Sequence, residues 1–138
     1  MNYKAIKFFG ITALLLLPLW AGAQQPQMSE EEEAKQMREA IDRSVESYEN
    51  LLNLEDWQSF YVDSILTHDY TALRQELKAL RDAKMTNNDA YVQVQDKWAE
   101  QIYNAFHKVF NEEQWQKYLK TGAARDKKSR DKRAEKRK

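Results

Sequence analysis

The chain has 138 residues, 42% of them hydrophobic and 32% charged, with 22 Lys/Arg against 22 Asp/Glu and no cysteine. That length suits one domain, and the missing thiols exclude disulfides, cysteine nucleophiles, thiolate metal sites and a lipid-modified cysteine. The balanced total conceals segregation: residues 24–119 hold 10 Lys/Arg against 19 Asp/Glu, while residues 120–138 hold 10 against 3. An acidic body is followed by a basic tail.

Lys4 and Lys7 precede an apolar stretch from Phe8 to Trp20, and Ala21-Gly22-Ala23 has the small-x-small pattern of a cleavage site. Residues 1–23 therefore read as a signal peptide cleaved after Ala23. The stretch is short and contains Pro18, which makes it a poor membrane span, and an uncleaved N-terminal anchor is the rival reading. An exported chain without disulfides is expected free in a periplasm-like space, stabilised by its packed core alone. Residues 24–28 read as a flexible lead, and beyond them Gly122 is the only glycine. Long runs without Gly or Pro predict an all-α domain over residues 29–121.

Ser29, with Glu32 three residues on, is a capping-box start, and Glu30–Glu33 sit at the positive end of the helix dipole. That acidic run reads chiefly as a solvated helix start, and a cation or partner surface is the rival reading. Ala34, Met37, Ile41, Val45, Tyr48 and Leu52 fall on one face of this first helix. The second helix is predicted from about Glu55 to Lys84, with Val62, Leu66, Tyr70, Leu73, Leu77 and Leu80 as its seam. Trp57, Phe60 and Tyr61 point away from that seam, so its first turns are apolar nearly all round.

Thr86-Asn87-Asn88-Asp89 is a polar turn. The third helix, about Asp89 to Phe110, carries Tyr91, Val94, Trp98, Ile102, Ala105 and Val109 on one face. Val92, Ala99, Tyr103 and Phe110 widen its apolar arc beyond what one partner helix covers. A short fourth helix holds Trp115, Tyr118 and Leu119 and stops near Thr121-Gly122, with glycine as terminator. Residues 122–138 read as a basic tail, frayed or weakly helical. The expected fold is a bundle of about four helices around a long central antiparallel hairpin.

Two similar segments, Leu54-Glu55-Asp56-Trp57-Gln58 and Phe110-Asn111-Glu112-Glu113-Gln114, stand at helix starts. In the second, Asn111 and Gln114 form a capping box behind the apolar Phe110. In the first, Glu55 lacks the capping chemistry, and Asn53 with Asp56 is the expected substitute. An antiparallel hairpin brings both segments to the same pole, with Trp57, Phe60, Phe110 and Trp115 clustered there.

These segments resemble the paired Leu-Thr-x-x-Gln motifs of the Spy/CpxP family of periplasmic proteins, over roughly residues 30–121. Leu54 and Gln58 take the apolar and glutamine places of one copy, Phe110 and Gln114 those of the other. Glu55 and Asn111 stand where the family has threonine. The resemblance implies an ATP-independent chaperone or envelope-stress adaptor. It further implies a cradle-shaped antiparallel homodimer that holds unfolded or envelope client proteins on its concave face. Trp57, Phe60, Tyr61, Tyr103, Phe106 and Trp115 are the expected client or dimer contacts. Filling of a single monomeric core accounts for the same aromatics equally well.

No catalytic residue or cofactor is expected. The two histidines, His68 and His107, lie on different helices, about 16 Å apart along the hairpin axis, and zinc wants three or four converging ligands. No nucleophile constellation or glycine-rich phosphate loop is present. A metal-responsive sensor on the same scaffold is one alternative function. Another is a structural envelope protein anchored by Lys127, Lys128, Arg130, Lys132, Arg133, Lys136, Arg137 and Lys138. Behind an export signal these cations suit an anionic membrane surface or an acidic client rather than nucleic acid.

Overall fold

Local capping chemistry sets the helix boundaries. In the computed structural model, which describes residues 28–138, the Ser29 hydroxyl accepts the Glu32 N–H at 3.2 Å. The Glu32 carboxylate accepts the Ser29 N–H at 3.3 Å, completing the box. The expected signal peptide, residues 1–23, and residues 24–27 of the expected lead lie outside the described residues. α1 (Glu30–Leu52) buries Ala40, Ile41, Ser44, Tyr48 and Leu52. Ala34 is exposed and Met37 half-buried, so the stripe starts one turn later than predicted.

Asn53 ends α1 with φ 51° and ψ 57°, a left-handed conformation that asparagine tolerates better than most residues. It is therefore spent on the end of α1 and does not cap the next helix. α2 (Asp56–Asp82) starts from Glu55, whose N–H donates to the Gln58 side chain at 3.0 Å. Val62, Leu66 and Leu73 are buried along its seam. Past its end Lys84 turns left-handed with φ 54°, and the Met85 N–H reaches the Leu80 carbonyl at 3.0 Å. The Asn87 side chain accepts the Asp89 N–H at 2.9 Å, starting α3 (Asn88–Val109) at the predicted turn.

Polar pairs at the edges of the apolar seams fix the register. Gln58, Asp69 and Glu76 of α2 meet Val109, Gln101 and Lys97 of α3, in that order. The order reverses between the helices, so α2 and α3 run antiparallel as expected. Arg38 of α1 bonds Asp63 at 2.6 Å, and Glu33 accepts from Arg74 at 3.0 Å, which makes α1 antiparallel to α2. The core between them holds Ile41, Tyr48 and Leu52 with Val62, Leu66, Ile102 and Phe106. At about 1.5–3 kcal/mol for each large apolar side chain removed from water, this stripe is the main stabilising term.

α4 (Glu112–Tyr118) is about two turns capped by Asn111, whose side chain accepts the Gln114 N–H at 2.9 Å. The chain then widens through Leu119–Ala123 and breaks at Gly122, where φ is 109°. Glycine thus ends the fourth helix at the predicted place, since a side-chain-bearing residue is strained at that angle.

The tail departs from its expected form. Residues 124–136 are a regular helix, α5, packed along α3. It has no apolar stripe, and Arg130 is its one buried residue. Instead Arg130 pairs with Glu100, Arg133 with Asp96 and Arg137 with Asp89, at 3.2, 2.7 and 2.7 Å. The described residues contain no strand and form an all-α bundle. None of the described helices is long and apolar enough to cross a membrane.

Candidate functional site

The two look-alike segments meet. The Gln58 Nε2 donates to Gln114 Oε1 at 2.7 Å, and the Gln114 Nε2 donates back to Gln58 Oε1 at 3.0 Å. Gln58 also reaches the Val109 carbonyl at 3.0 Å. Each side-chain oxygen additionally accepts the backbone N–H of its own helix cap, Glu55 or Asn111, at 3.0 Å. Both amides are buried, so these bonds satisfy groups that would otherwise be costly to desolvate. Leu54 and Phe110 pack on the core beside them. All five motif positions, Leu54, Gln58, Phe110, Asn111 and Gln114, thus serve the joint between α2 and α4.

An aromatic knot surrounds that joint, with a membership different from the expected one. Phe106, Phe110, Trp115 and Tyr118 are buried and meet ring to ring, Phe106 lying 5.1 Å from Phe110 and Trp115 lying 5.3 Å from Tyr118. Tyr48 of α1 closes it against Phe106 at 5.4 Å. Tyr103 is half-buried, 4.9 Å from Trp115, with Arg130 of α5 5.6 Å over its ring. Phe106 and Trp115 therefore belong to the core of the chain, which corrects their assignment as client or dimer contacts. Desolvation raises the phenol of Tyr48 well above its ordinary range, that of Tyr70 to about 12, and that of Tyr118 likewise upward.

Trp57 and Phe60 are absent from the knot. α4 folds over α1 and α3, as Tyr118 against Tyr48 and Trp115 against Tyr103 record. The outer side of the first turns of α2 is left uncovered. Trp57, Phe60 and Tyr61 are 51%, 69% and 51% exposed there. Tyr61 meets Trp57 edge-on at 6.1 Å and Phe60 at 5.8 Å. The Trp57 indole N–H donates to the Glu55 carboxylate, which pins one ring against the helix start. Three large aromatics exposed on one helix turn are unusual on a soluble surface, where isolated apolar residues are the norm.

A groove lies further along the same helix. One turn beyond Tyr61, Ile65 lines an open depression of about 550 Å³ together with Ala105 and Val109 of α3. Lys97, Glu100, Gln101, Asn104 and Lys108 complete its lining. The groove thus combines an apolar strip with charges of both signs. It offers no nucleophile beside a base and no convergent set of acids.

The histidines lie apart. His68 is exposed beside Asp69, 2.7 Å from its carboxylate, and His107 stacks on Trp115 at 4.2 Å. Among the described residues there is no group of three or more His, Cys, Asp or Glu able to hold a metal ion.

Comparison with protein-family models, with curated proteins and with solved structures gives no match. Fold and surface together define a small all-α bundle, tied at one pole by paired glutamines and presenting an uncovered aromatic face beside a mixed-charge groove.

Proposed function

We propose that this protein is a periplasmic, ATP-independent chaperone or envelope-stress adaptor of the Spy/CpxP type, which binds rather than transforms its partners. The observation that carries the reading is the solvent-open triad of Trp57, Phe60 and Tyr61, one helical turn from the groove at Ile65. Unfolded chains expose apolar side chains interspersed with charge. An aromatic patch beside lysines and a glutamate matches both, with contacts weak enough to let a client move. The paired Leu54/Gln58 and Phe110/Gln114 segments support the family assignment, because their glutamines join as a duplicated motif would need. A homodimer closing over the same aromatic face is part of the proposal.

The test is light scattering of an aggregating client mixed with a several-fold excess of this protein, without nucleotide. Suppression by the natural chain, lost on replacing Trp57, Phe60 and Tyr61 together with serine, is the expected result. Equal suppression by the serine variant, or none by either chain, overturns the reading.

A further inference from the structure

α5 has two basic faces, and only one of them is engaged. Lys127, Arg130, Arg133 and Arg137 face α3 and pair with Glu100, Asp96 and Asp89. Lys128, Lys132 and Lys136 are exposed on the other side, and among the described residues no carboxylate lies within ion-pair reach of any of them. The acids of α5 are already engaged, Asp126 by Arg125, Asp131 by Lys127 and Glu135 by Lys138. At spacing i, i+4 and i+8 the three lysines form a straight row about 12 Å long.

We propose that the outward row Lys128, Lys132 and Lys136 is a docking surface for an anionic lipid bilayer, approached face-on while the inward arginines stay on α3. Charge selects the orientation. Residues 28–119 hold 10 Lys/Arg against 19 Asp/Glu, so the body is repelled by an anionic surface and only α5 is drawn to it. The division of residue types selects the partner. The arginines, whose planar forks suit carboxylates, are spent internally, and the outer face offers lysines, which are hydrated point charges without geometric demand. That suits fluid headgroups, for which each basic residue near the surface contributes modestly and additively. No aromatic lies on α5 to stack a base, and a polyanion long enough to leave the row would meet the acidic body. This surface is independent of client binding at Trp57, Phe60 and Tyr61.

The experiment is sedimentation of the full chain with vesicles of phosphatidylcholine alone and with about 30% phosphatidylglycerol, at about 0.1 M salt. The N-terminal stretch, with Lys4 and Lys7, is the same in the natural chain and its variants, so the quantity read is the part of the gain from the anionic lipid that changes between them. Replacing Lys128, Lys132 and Lys136 with glutamine is expected to reduce that gain by more than about tenfold with unchanged helicity. The triple replacement with arginine is expected to keep it. As a separate guard, Ser129→Glu, beside the row, weakens the gain without removing a lysine. The proposal is overturned by an undiminished gain in the glutamine variant. It is equally overturned by tighter retention on duplex DNA than on anionic vesicles at the same salt.

Discussion

Gln58 and Gln114, 56 positions apart in the chain, hold each other through two reciprocal amide bonds of 2.7 and 3.0 Å. Each also collects the backbone N–H at its own helix start. One side chain therefore closes a local cap and a long-range joint with the same oxygen. The coupling between them is measurable. Gln58→Ala and Gln114→Ala are each expected to cost about 2–3 kcal/mol, because each leaves buried groups of its partner unpaired. The double variant should cost about 1 kcal/mol or more less than the sum, as a urea-denaturation cycle would register. Strict additivity would show that the reciprocal bonds are not made.

The two aromatic sets predict opposite responses. Phe106 is fully buried, and Phe106→Ala is expected to cost about 3–5 kcal/mol. Phe60→Ala, at 69% exposure, is expected to change stability by less than about 0.5 kcal/mol. Thermal unfolding of the two variants side by side distinguishes core from surface.

The attachment of α5 is electrostatic and so depends on salt and acid. Arg133 holds Asp96 through two bonds of 2.8 and 2.7 Å. Asp96→Asn is expected to speed amide exchange across residues 124–136 by about tenfold while leaving α1 to α3 protected. Raising salt to about 1 M should act in the same direction. Asp89 is held below its ordinary 3.8, first by the bond from Arg137 and then by Gln93. Its contact with α5 is therefore complete above that value and is lost as pH falls beneath it.

Alkali should attack the packing beside the knot, where Tyr70 lies against the core. The Tyr70 phenol lies near 12 against an ordinary 10, because burial disfavours the phenolate. A raised value means that its contribution is complete below pH 10 and disappears as pH climbs towards 12. The absorbance change of the buried tyrosines and the loss of helicity, followed together, should coincide within that window. Ionisation of the buried phenols with helicity intact would refute the link.

Gly122 carries φ 109° between α4 and α5. Gly122→Ala is expected to cost about 1–2 kcal/mol, from the backbone angle rather than from crowding. The nearest atom to an added Cβ is the end of the Arg125 side chain at 3.4 Å. Calorimetry of the variant checks the magnitude.

Much of this architecture is legible in the chain. Period-3.6 stripes place α1 to α3, Asn111 with Gln114 announces a helix start, and the polar turn at 86–89 makes the hairpin that brings Gln58 to Gln114. Periodicity also sets Trp57 and Phe60 apart from their helix seam. It cannot say whether a neighbour covers them, since that depends on the path of α4, which crosses the side away from them. α5 is hidden for a related reason. It lacks the apolar stripe by which helices are recognised, and its partners lie in another helix. Its signal is a match between separated charges: Arg130, Arg133 and Arg137 run opposite Glu100, Asp96 and Asp89, in reversed order.

The turn between α2 and α3 has a mechanical consequence. Residues 81–89 are all exposed, whereas the opposite end is clamped by amides and stacked rings. Apart from the Asp89–Arg137 ion pair at the base of the tip, the bundle is thus stiff at one extremity and loose at the other. Partial opening should begin at the hairpin tip and stop short of the glutamines, leaving the aromatic face intact on a half-unzipped molecule.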